Sequence, residues 1–300
     1  MKIVIVGAHG QLGSAVVREL RGDGLEVTAL ARRVLDVTSR RAVDGLMAFA
    51  PDVIINCTAW NDVDGAETQA AAAFAVNHTA VSHLAGVARR AGATLVHYSS
   101  DFVFDGRGHE PYVEDAIPSP LNVYGRSKLA GEEEARQVSS HYIVRLSSVF
   151  GGRKGEGRGG RGTIDRMLDA LLTDKAVGAF TDRTVTPSYT VDVARATHAL
   201  LMRGAPYGVY HCVSSQSTTW YRLAEEAARI VESRSRVVPV LSEDVATIAV
   251  RPRYCALANE KLALAGYRMA AWPDALRRHL ADRLFRQARP DLSHALTLQR

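Results

Sequence analysis

A tyrosine and a lysine lie four positions apart, at Tyr124 and Lys128, in the segment Tyr-Gly-Arg-Ser-Lys. On a helix, residues i and i+4 share one face, so the phenol and the ammonium can meet in one site. A nearby cation favours the phenolate, and it should lower the pKa of Tyr124 for proton transfer to a carbonyl oxygen. Spacing alone leaves a surface Tyr–Lys pair as the alternative.

A serine hydroxyl is predicted beside this pair. A β-like run at 94–98 is followed by Ser-Ser-Asp at 99–101, in which Ser100 is the second serine. In a parallel sheet the carboxyl ends of the strands open onto the ligand crevice, so a hydroxyl there can hydrogen-bond a substrate oxygen. The alternative is a simple turn or capping residue. Together, the three side chains predict a site for carbonyl reduction.

A glycine-rich turn follows the first predicted strand, at 2–6. It runs from Gly7 to Gly13 as Gly-Ala-His-Gly-Gln-Leu-Gly, and a helical apolar pattern occupies 11–21. Glycine tolerates positive φ and lets the backbone approach a pyrophosphate, while the helix N-terminus offers free N–H groups. The turn therefore predicts a dinucleotide site, with a ligand-free strand-to-helix turn as the alternative.

The end of the second predicted strand, at 26–31, bears on the choice of dinucleotide. Arg32 and Arg33 follow it, and the first carboxylate comes only at Asp36. An acidic residue commonly holds the ribose of NAD at this position, whereas guanidinium groups can pair with a 2′-phosphate. We predict NADPH as the cofactor, with NADH as the alternative. The alternative is that the two arginines belong to a general arginine excess on the surface.

Strands and helices alternate through the first half of the chain. Strands are predicted at 2–6, 26–31, 53–55, 94–98 and 142–146, and helices at 11–21, 42–48, within 67–91 and at 121–136. This alternation predicts an α/β fold with a Rossmann-type, doubly wound parallel sheet.

The second half has a different pattern. A stretch with seven glycines at 151–162 predicts a mobile loop, and the last dozen residues should be frayed. Further helices are expected within 164–172, 191–203, 219–231 and 274–285, with short strands near 176–180, 208–212 and 237–240. We predict a dinucleotide-binding domain at 1–150, to which later segments can return, and a smaller α/β substrate lobe with a tail at 151–300.

Composition excludes several classes. The chain has 300 residues, 47% apolar and 23% charged, with a formal net charge of +5. No apolar run is long enough to cross a bilayer, and no basic strip with interleaved aromatics favours nucleic acid. The three cysteines are far apart, which suits a reducing compartment. We expect a cytoplasmic globular protein without a membrane segment, a nucleic-acid partner or an assignable metal site.

The motifs, taken together, resemble the extended short-chain dehydrogenases, and within them the dTDP-4-dehydrorhamnose reductases. The resemblance covers nearly the whole chain, in seven segments that follow in the expected order. Besides the glycine turn, these are 55–67, 75–77, 99–106 (Ser-Ser-Asp-Phe-Val-Phe-Asp-Gly), 120–132, 145–151, 186–192 and 251–261. The Asp-Phe after Ser100 differs from the Asp-Glu of sugar-nucleotide dehydratases, which disfavours that chemistry.

The resemblance implies NADPH-dependent reduction of the 4-keto group of a nucleotide-linked 4-keto-6-deoxysugar. Tyr124 would donate the proton, Lys128 would hold the nicotinamide ribose and tune Tyr124, and Ser100 would polarise the ketone. The resemblance also implies contacts to the cofactor, which add to those predicted above for Arg32 and Arg33. These implied contacts are Gly7, Gly10, Gln11, Leu12, Gly13, Asp36, Val37 and Ala59.

Departures from the family pattern lie in the substrate half. Phe102 replaces a tyrosine, Ser148 replaces a tryptophan expected beside the sugar, and Arg183 lies in an altered Asp-Gln-x-Gly segment. With Asp101, these are the candidate substrate contacts. A sugar-nucleotide epimerase and a non-catalytic regulatory subunit of the same fold are the alternative functions, and the chain is expected to be a monomer or a homodimer.

Overall fold

The computed structural model describes residues 1–152 and 162–288 of the chain. Most of the predicted glycine-rich loop, and the tail from residue 289, lie outside the described residues. The strands of the described part are β1 (Lys2–Val6), β2 (Glu26–Leu30), β3 (Val53–Asn56), β4 (Thr94–Ser100), β5 (His141–Leu146), β6 (Val149–Phe150), β7 (Val177–Phe180), β8 (Thr184–Val185), β9 (Ser188–Tyr189), β10 (Gly208–His211), β11 (Thr218–Thr219), β12 (Val237–Val240) and β13 (Tyr254–Cys255).

The helices follow the same numbering in chain order. They are α1 (Gln11–Arg21), α2 (Arg40–Asp44), α3 (Val63–Thr68), α4 (Ala70–Phe74), α5 (Ala80–Ala91), α6 (Val123–Arg136), α7 (Thr163–Leu172), α8 (Thr190–Met202), α9 (Trp220–Ile230), α10 (Glu260–Leu264) and α11 (Trp272–Ala288). Short 3₁₀ turns lie at Gly45–Phe49, Asp101–Val103 and Ser242–Asp244, and one π turn lies at Ala75–Thr79. Within the described ranges, none of these helices combines the length and apolar character needed to span a membrane.

The central sheet has six parallel strands in the order β10-β5-β4-β3-β1-β2. After β1 the chain moves outward to β2 and then returns to the other side of β1 to form β3. This reversal opens a crevice at the carboxyl ends of β1 and β3, where α/β sheets bind ligands. The predicted α/β fold with a Rossmann-type parallel sheet is confirmed.

Helices cover both faces of the sheet. On one face Val16 of α1 and Val193 of α8 are buried against Ile3 and Ile5 of β1. On the other face the helices α2, α5 and α6 pack against the opposite side chains of the strands. Strands buried on both faces read as continuous apolar runs, as β1 and β3 do.

One strand of the central sheet comes from the second half of the chain. β10 pairs in parallel with β5, from Gly208 opposite Tyr142 to His211 opposite Arg145. The elements α7, α9, α11 and β7 form a separate apolar cluster. The division at residue 150 stays a prediction, and β10 is one segment that lies with the first half.

The long helix predicted within 67–91 is present as a continuous helical segment over 70–91, in which α4, a π turn and α5 follow one another without a gap. Gln69, with φ −127° and ψ 46°, separates α3 from α4, and the π turn at Ala75–Thr79 separates α4 from α5. π turns are frequent at functional sites. The π turn here contains Asn77, whose side chain is buried and points toward α6.

Candidate active site

Two glycines of the first turn are required by close backbone approaches. Gly7 has a φ of +75°, and a Cβ built on it would lie 2.8 Å from the carbonyl carbon of Cys57, just after β3. A Cβ on Gly13 would lie 2.3 Å from the carbonyl oxygen of Gly7. Any side chain at either position would therefore push the turn away from β3 or away from α1.

The start of α1 leaves a group of amides for a ligand. The amide of Ser14 makes the first intrahelical bond, to the Gly10 carbonyl oxygen at 3.0 Å, so the N–H groups of Gln11, Leu12 and Gly13 precede the helical ladder. Gly10 provides no side-chain cap. Ala59 lies in the loop between β3 and α3. Free amides at the positive end of a helix fit the diphosphate of a dinucleotide.

The residues after β2 lie at one side of this crevice. Arg32 and Arg33 are both exposed, and Val37 is buried. The carboxylate of Asp36 accepts hydrogen bonds from the amide and the hydroxyl of Thr38, at 3.0 and 2.7 Å. These bonds lower the pKa of Asp36. Two exposed guanidinium groups at the end of the second strand suit an additional phosphate.

Ser100 ends β4, and its hydroxyl is already hydrogen-bonded. Ser100 Oγ donates to Asp101 Oδ1 at 2.9 Å and accepts from the amide of Phe102 at 3.2 Å. Asp101 is only 3% exposed, and its Oδ2 has no hydrogen-bond partner among the described residues. Burial, opposed by the hydroxyl groups of Ser147 and Ser100, raises the pKa of Asp101 to about 6.

Helix α6 brings Tyr124 against this strand end. The side chain of Asn122 caps the helix by accepting from the Gly125 amide at 2.7 Å. A Cβ on Gly125 would lie 2.2 Å from the carbonyl oxygen of Phe102, so glycine is needed for this contact. The Phe102 and Tyr124 rings meet edge to face at 5.7 Å. The structure thus brings Ser100, Phe102 and Tyr124 together.

Lys128 lies one turn further along α6 and is 2% exposed. Its Nζ donates to the carbonyl oxygen of Tyr98 on β4 at 2.6 Å. Burial lowers the pKa of Lys128 to about 8, although the carboxylate of Glu132 opposes this change. The ammonium is therefore held on the same strand that ends at Ser100.

The expected lowering of the Tyr124 pKa was wrong. Burial raises the pKa of Tyr124 to about 12; the hydroxyl of Ser100 lowers it and the charge of Asp101 raises it further. Desolvation disfavours the phenolate, and here this effect is larger than any contribution from Lys128. At neutral pH Tyr124 is thus a protonated phenol, which is the form that can donate a proton.

The two remaining substrate candidates, Ser148 and Arg183, lie on other segments of the chain than Ser100, Tyr124 and Lys128. Ser148, between β5 and β6, has a φ of +45°. Arg183, between β7 and β8, donates from Nε to Ser242 Oγ at 2.7 Å, and its guanidinium lies 3.9 Å from the centre of the Phe180 ring. The charge of Arg183 also acts on the thiol of Cys255, which neighbours Asp101.

Sequence reasoning missed two groups that support the site. Asn77 accepts from the amide of Trp60 at 2.8 Å and donates to Ser127 Oγ at 3.0 Å, which ties the π turn to α6. Glu132 and Arg145 form a bidentate ion pair, with both N–O distances 2.8 Å. A polar residue within an alanine-rich helix was the available signal for Asn77, whereas no local spacing links Glu132 on α6 to Arg145 on β5.

The comparisons with known proteins agree with this geometry. A family model described as RmlD substrate binding domain matches residues 1–285. The chain belongs to the RmlD substrate-binding domain family. This membership confirms the resemblance to the dTDP-4-dehydrorhamnose reductases that was drawn from the motifs.

Relatives of the RmlD family are similar over almost their whole length. The dTDP-4-dehydrorhamnose reductase of Streptomyces griseus is 36% identical over 296 residues, which covers 96% of this chain and 95% of the relative. The dTDP-4-keto-6-deoxy-D-glucose reductase of Streptomyces niveus is 37% identical over 267 residues, covering 88% and 90%. The structure of dTDP-4-dehydrorhamnose reductase from Bacillus anthracis in complex with NADP matches with a TM-score of 0.88 and 29% identity, covering 94% of this chain and 100% of the other.

Proposed function

We propose that this protein catalyses the NADPH-dependent reduction of the 4-keto group of a nucleotide-linked 4-keto-6-deoxysugar. The observation that carries the proposal is the placement of the buried Tyr124 beside Ser100 at the carboxyl end of β4, with Lys128 one turn further along the same helix. The relatives named as reductases of such sugars support the reaction class.

Three side chains carry the proton chemistry in this proposal. Tyr124 donates its phenolic proton to the carbonyl oxygen of the substrate, and Ser100 donates a hydrogen bond to the same oxygen. Lys128, largely protonated at neutral pH given a pKa of about 8, stabilises the phenolate that Tyr124 becomes. Bound NADPH supplies the hydride.

The cofactor is assigned to the crevice between β1 and β3. The backbone amides of Gln11, Leu12 and Gly13 hold its diphosphate, and the close backbone approaches at Gly7 and Gly13 fix the turn that presents these amides. Arg32 and Arg33 hold the 2′-phosphate, while Asp36, Val37 and Ala59 line the nucleoside side of the crevice. Exposure of both guanidinium groups supports the choice of NADPH over NADH.

The sugar nucleotide is assigned to the space beside Asp101, Phe102, Ser148 and Arg183. Phe102 contacts the Tyr124 ring, and Arg183 offers a positive charge for a diphosphate. Loss of a polar or aromatic partner at Phe102 and Ser148 changes which sugar fits best. We further propose that the enzyme works in the cytoplasm, as a monomer or a homodimer.

A turnover assay with a panel of nucleotide 4-keto-6-deoxysugars tests the function. Wild-type protein should oxidise NADPH with at least one member of the panel, and NMR of the product should show a new hydroxyl at C4. Tyr124→Phe should lower kcat by about 10²–10⁴ because the proton donor is lost. The same variant should bind NADPH as tightly as the wild type.

Two outcomes would contradict the proposal and favour another function. Interconversion of sugar nucleotides without net NADPH oxidation would indicate an epimerase. Absence of turnover on the whole panel, together with a stoichiometric enzyme partner, would indicate a regulatory subunit.

A further inference from the structure

The side-chain amide of Gln11, the first residue of α1, is held by the second half of the chain. Its Nε2 donates to the carbonyl oxygen of Gly151 at 2.6 Å and to Asp165 Oδ2 at 2.9 Å. A primary amide has two N–H donors, so both are used in these bonds. The orientation of this side chain is therefore set by residues that follow it by 140 and 154 positions.

The carboxylate of Asp165 joins three elements. Asp165 lies in the first turn of α7 and is 8% exposed. Its Oδ2 faces Gln11 at the start of α1, while its Oδ1 lies 2.9 Å from Nε2 of His279 on α11. His279 is 2% exposed, and its ring meets the Phe150 ring edge to face at 5.6 Å. The carboxylate is thus fixed on both oxygens in a mostly buried position.

The charge at this position matters because it lies near the amides assigned to the diphosphate. An uncompensated carboxylate beside Gln11 would repel a dinucleotide. The guanidinium of Arg283 lies 3.9 Å from Asp165 Oδ1 and offsets that charge. The arrangement therefore keeps an acceptor for the Gln11 amide while reducing the electrostatic cost to an anionic ligand.

A glutamine at the first turn of a helix has an alternative position. Its amide oxygen can reach back to the free N–H groups of the same turn, which are the groups an anion would use. The two acceptors provided by Gly151 and Asp165 hold the Gln11 amide on the side of the second lobe. Holding it there leaves those N–H groups available.

We propose that Asp165 is a positioning residue for the dinucleotide, acting through the side-chain amide of Gln11. It couples α7 and α11 to the glycine turn, so that packing in the second half of the chain controls cofactor affinity. This inference rests on the proposed assignment of the cofactor to the crevice at β1 and β3.

Binding of NADPH, measured by fluorescence titration of the purified full chain, tests the proposal. Asp165→Leu removes the carboxylate, so that the Gln11 amide keeps only the Gly151 carbonyl as an acceptor. NADPH binding should weaken about tenfold, the effect expected from losing a hydrogen bond to a charged group. At saturating NADPH, kcat and the KM for the sugar nucleotide should stay within about twofold of the wild type. A general loss of structure would instead lower kcat as well.

Asp165→Asn is the conservative variant. The Asn oxygen can accept from the Gln11 amide, and its NH₂ can donate to Nε2 of His279 in the ring tautomer that carries its proton on Nδ1. NADPH affinity should therefore stay within about twofold of the wild type. Asp169→Asn is the matched control, because Asp169 lies one turn away on α7 and pairs with Arg283, whereas the Gln11 amide donates to Gly151 and Asp165. That variant should also leave NADPH affinity unchanged.

A second route protects the test if Asp165→Leu fails to fold. Gln11→Met removes the amide from the other side of the same hydrogen bond and should weaken NADPH binding about as much. Unchanged NADPH affinity in both Asp165→Leu and Gln11→Met would overturn the inference. An equal loss in Asp169→Asn would overturn it too, by tracing the effect to helix docking. Failure of the wild type to bind NADPH would refute the proposed function itself.

Discussion

The buried ion pair between Glu132 and Arg145 should affect both stability and the pH dependence of activity. Glu132 is 0% exposed and Arg145 is 1% exposed. Glu132 accepts hydrogen bonds from Nε and Nη2 of Arg145, each at 2.8 Å, and from Arg136 at 2.9 Å. Although burial alone would raise the pKa of Glu132, the Arg145 guanidinium holds it below the usual value.

Glu132→Gln keeps the shape of the side chain and removes its charge. Arg145 would then be a buried cation without a carboxylate, which costs about 3–5 kcal/mol. For a chain of this length the entropy of unfolding converts that cost to a fall in Tm of about 5–8 °C. Glu133→Gln is the matched control, because Glu133 is the exposed neighbour on the same helix and should leave Tm unchanged.

The same substitution should change the titration of Lys128. The carboxylate of Glu132 raises the pKa of Lys128, against the burial that lowers it to about 8. Without that carboxylate the pKa falls, so Lys128 loses its proton at a lower pH. The alkaline fall in kcat should move to lower pH in Glu132→Gln and stay in place in Glu133→Gln. A normal Tm, or a lowered Tm with an unmoved alkaline limb, would refute this reasoning.

Three further predictions concern a glycine, an ion pair and a buried acid. Gly13→Ala should weaken NADPH binding by about tenfold or more, because the added Cβ would lie 2.3 Å from the carbonyl oxygen of Gly7. Gly45→Ala is the control: no atom lies within 4 Å of its added Cβ, and this variant should bind NADPH normally in the same titration. Arg251→Met removes the ion pair with Asp64, whose pKa is lowered to about 2 mainly by that arginine. In urea unfolding at pH 7, the free energy of unfolding should be about 1 kcal/mol lower in the variant than in the wild type. This difference should vanish as the pH falls toward 2 and Asp64 becomes protonated. The pKa of Asp101 in the folded protein is raised to about 6, so the free energy of unfolding of the wild type falls as the pH rises through about 6. Asp101→Asn has no such carboxyl, so its stability relative to the wild type should increase by about 2 kcal/mol between pH 4 and pH 7. A difference that stays constant over this range would contradict the reasoning.

Local signals predicted the first half of the chain well. The strand Lys2–Val6 and the helix Gln11–Arg21 have the predicted bounds, because each is specified by its own apolar period and by the glycines between them. The Tyr–Lys spacing likewise placed both side chains on one helix, α6. Patterns of this kind depend on neighbouring residues, which a sequence shows directly.

Features that depend on distant contacts could not be predicted in this way. The break near Gln69 and the π turn around Asn77 follow from packing against α6, and the ion pair of Asp64 with Arg251 joins residues 187 positions apart. The raised pKa of Tyr124 has the same origin, because desolvation depends on the whole surrounding fold. The sequence indicated which groups take part, whereas burial determined their protonation.

The position of β10 at the edge of the sheet has a consequence for synthesis on the ribosome. β5 pairs with β4 on one side, and its other side is covered only when β10, ending 65 residues later, has been made. At 5–20 residues per second, β5 presents an open edge for about 3–13 s in each nascent chain. An open edge strand can template pairing with a neighbouring chain. Nascent chains on one messenger are therefore exposed to misassembly in this interval, and the arrival of β10 ends it.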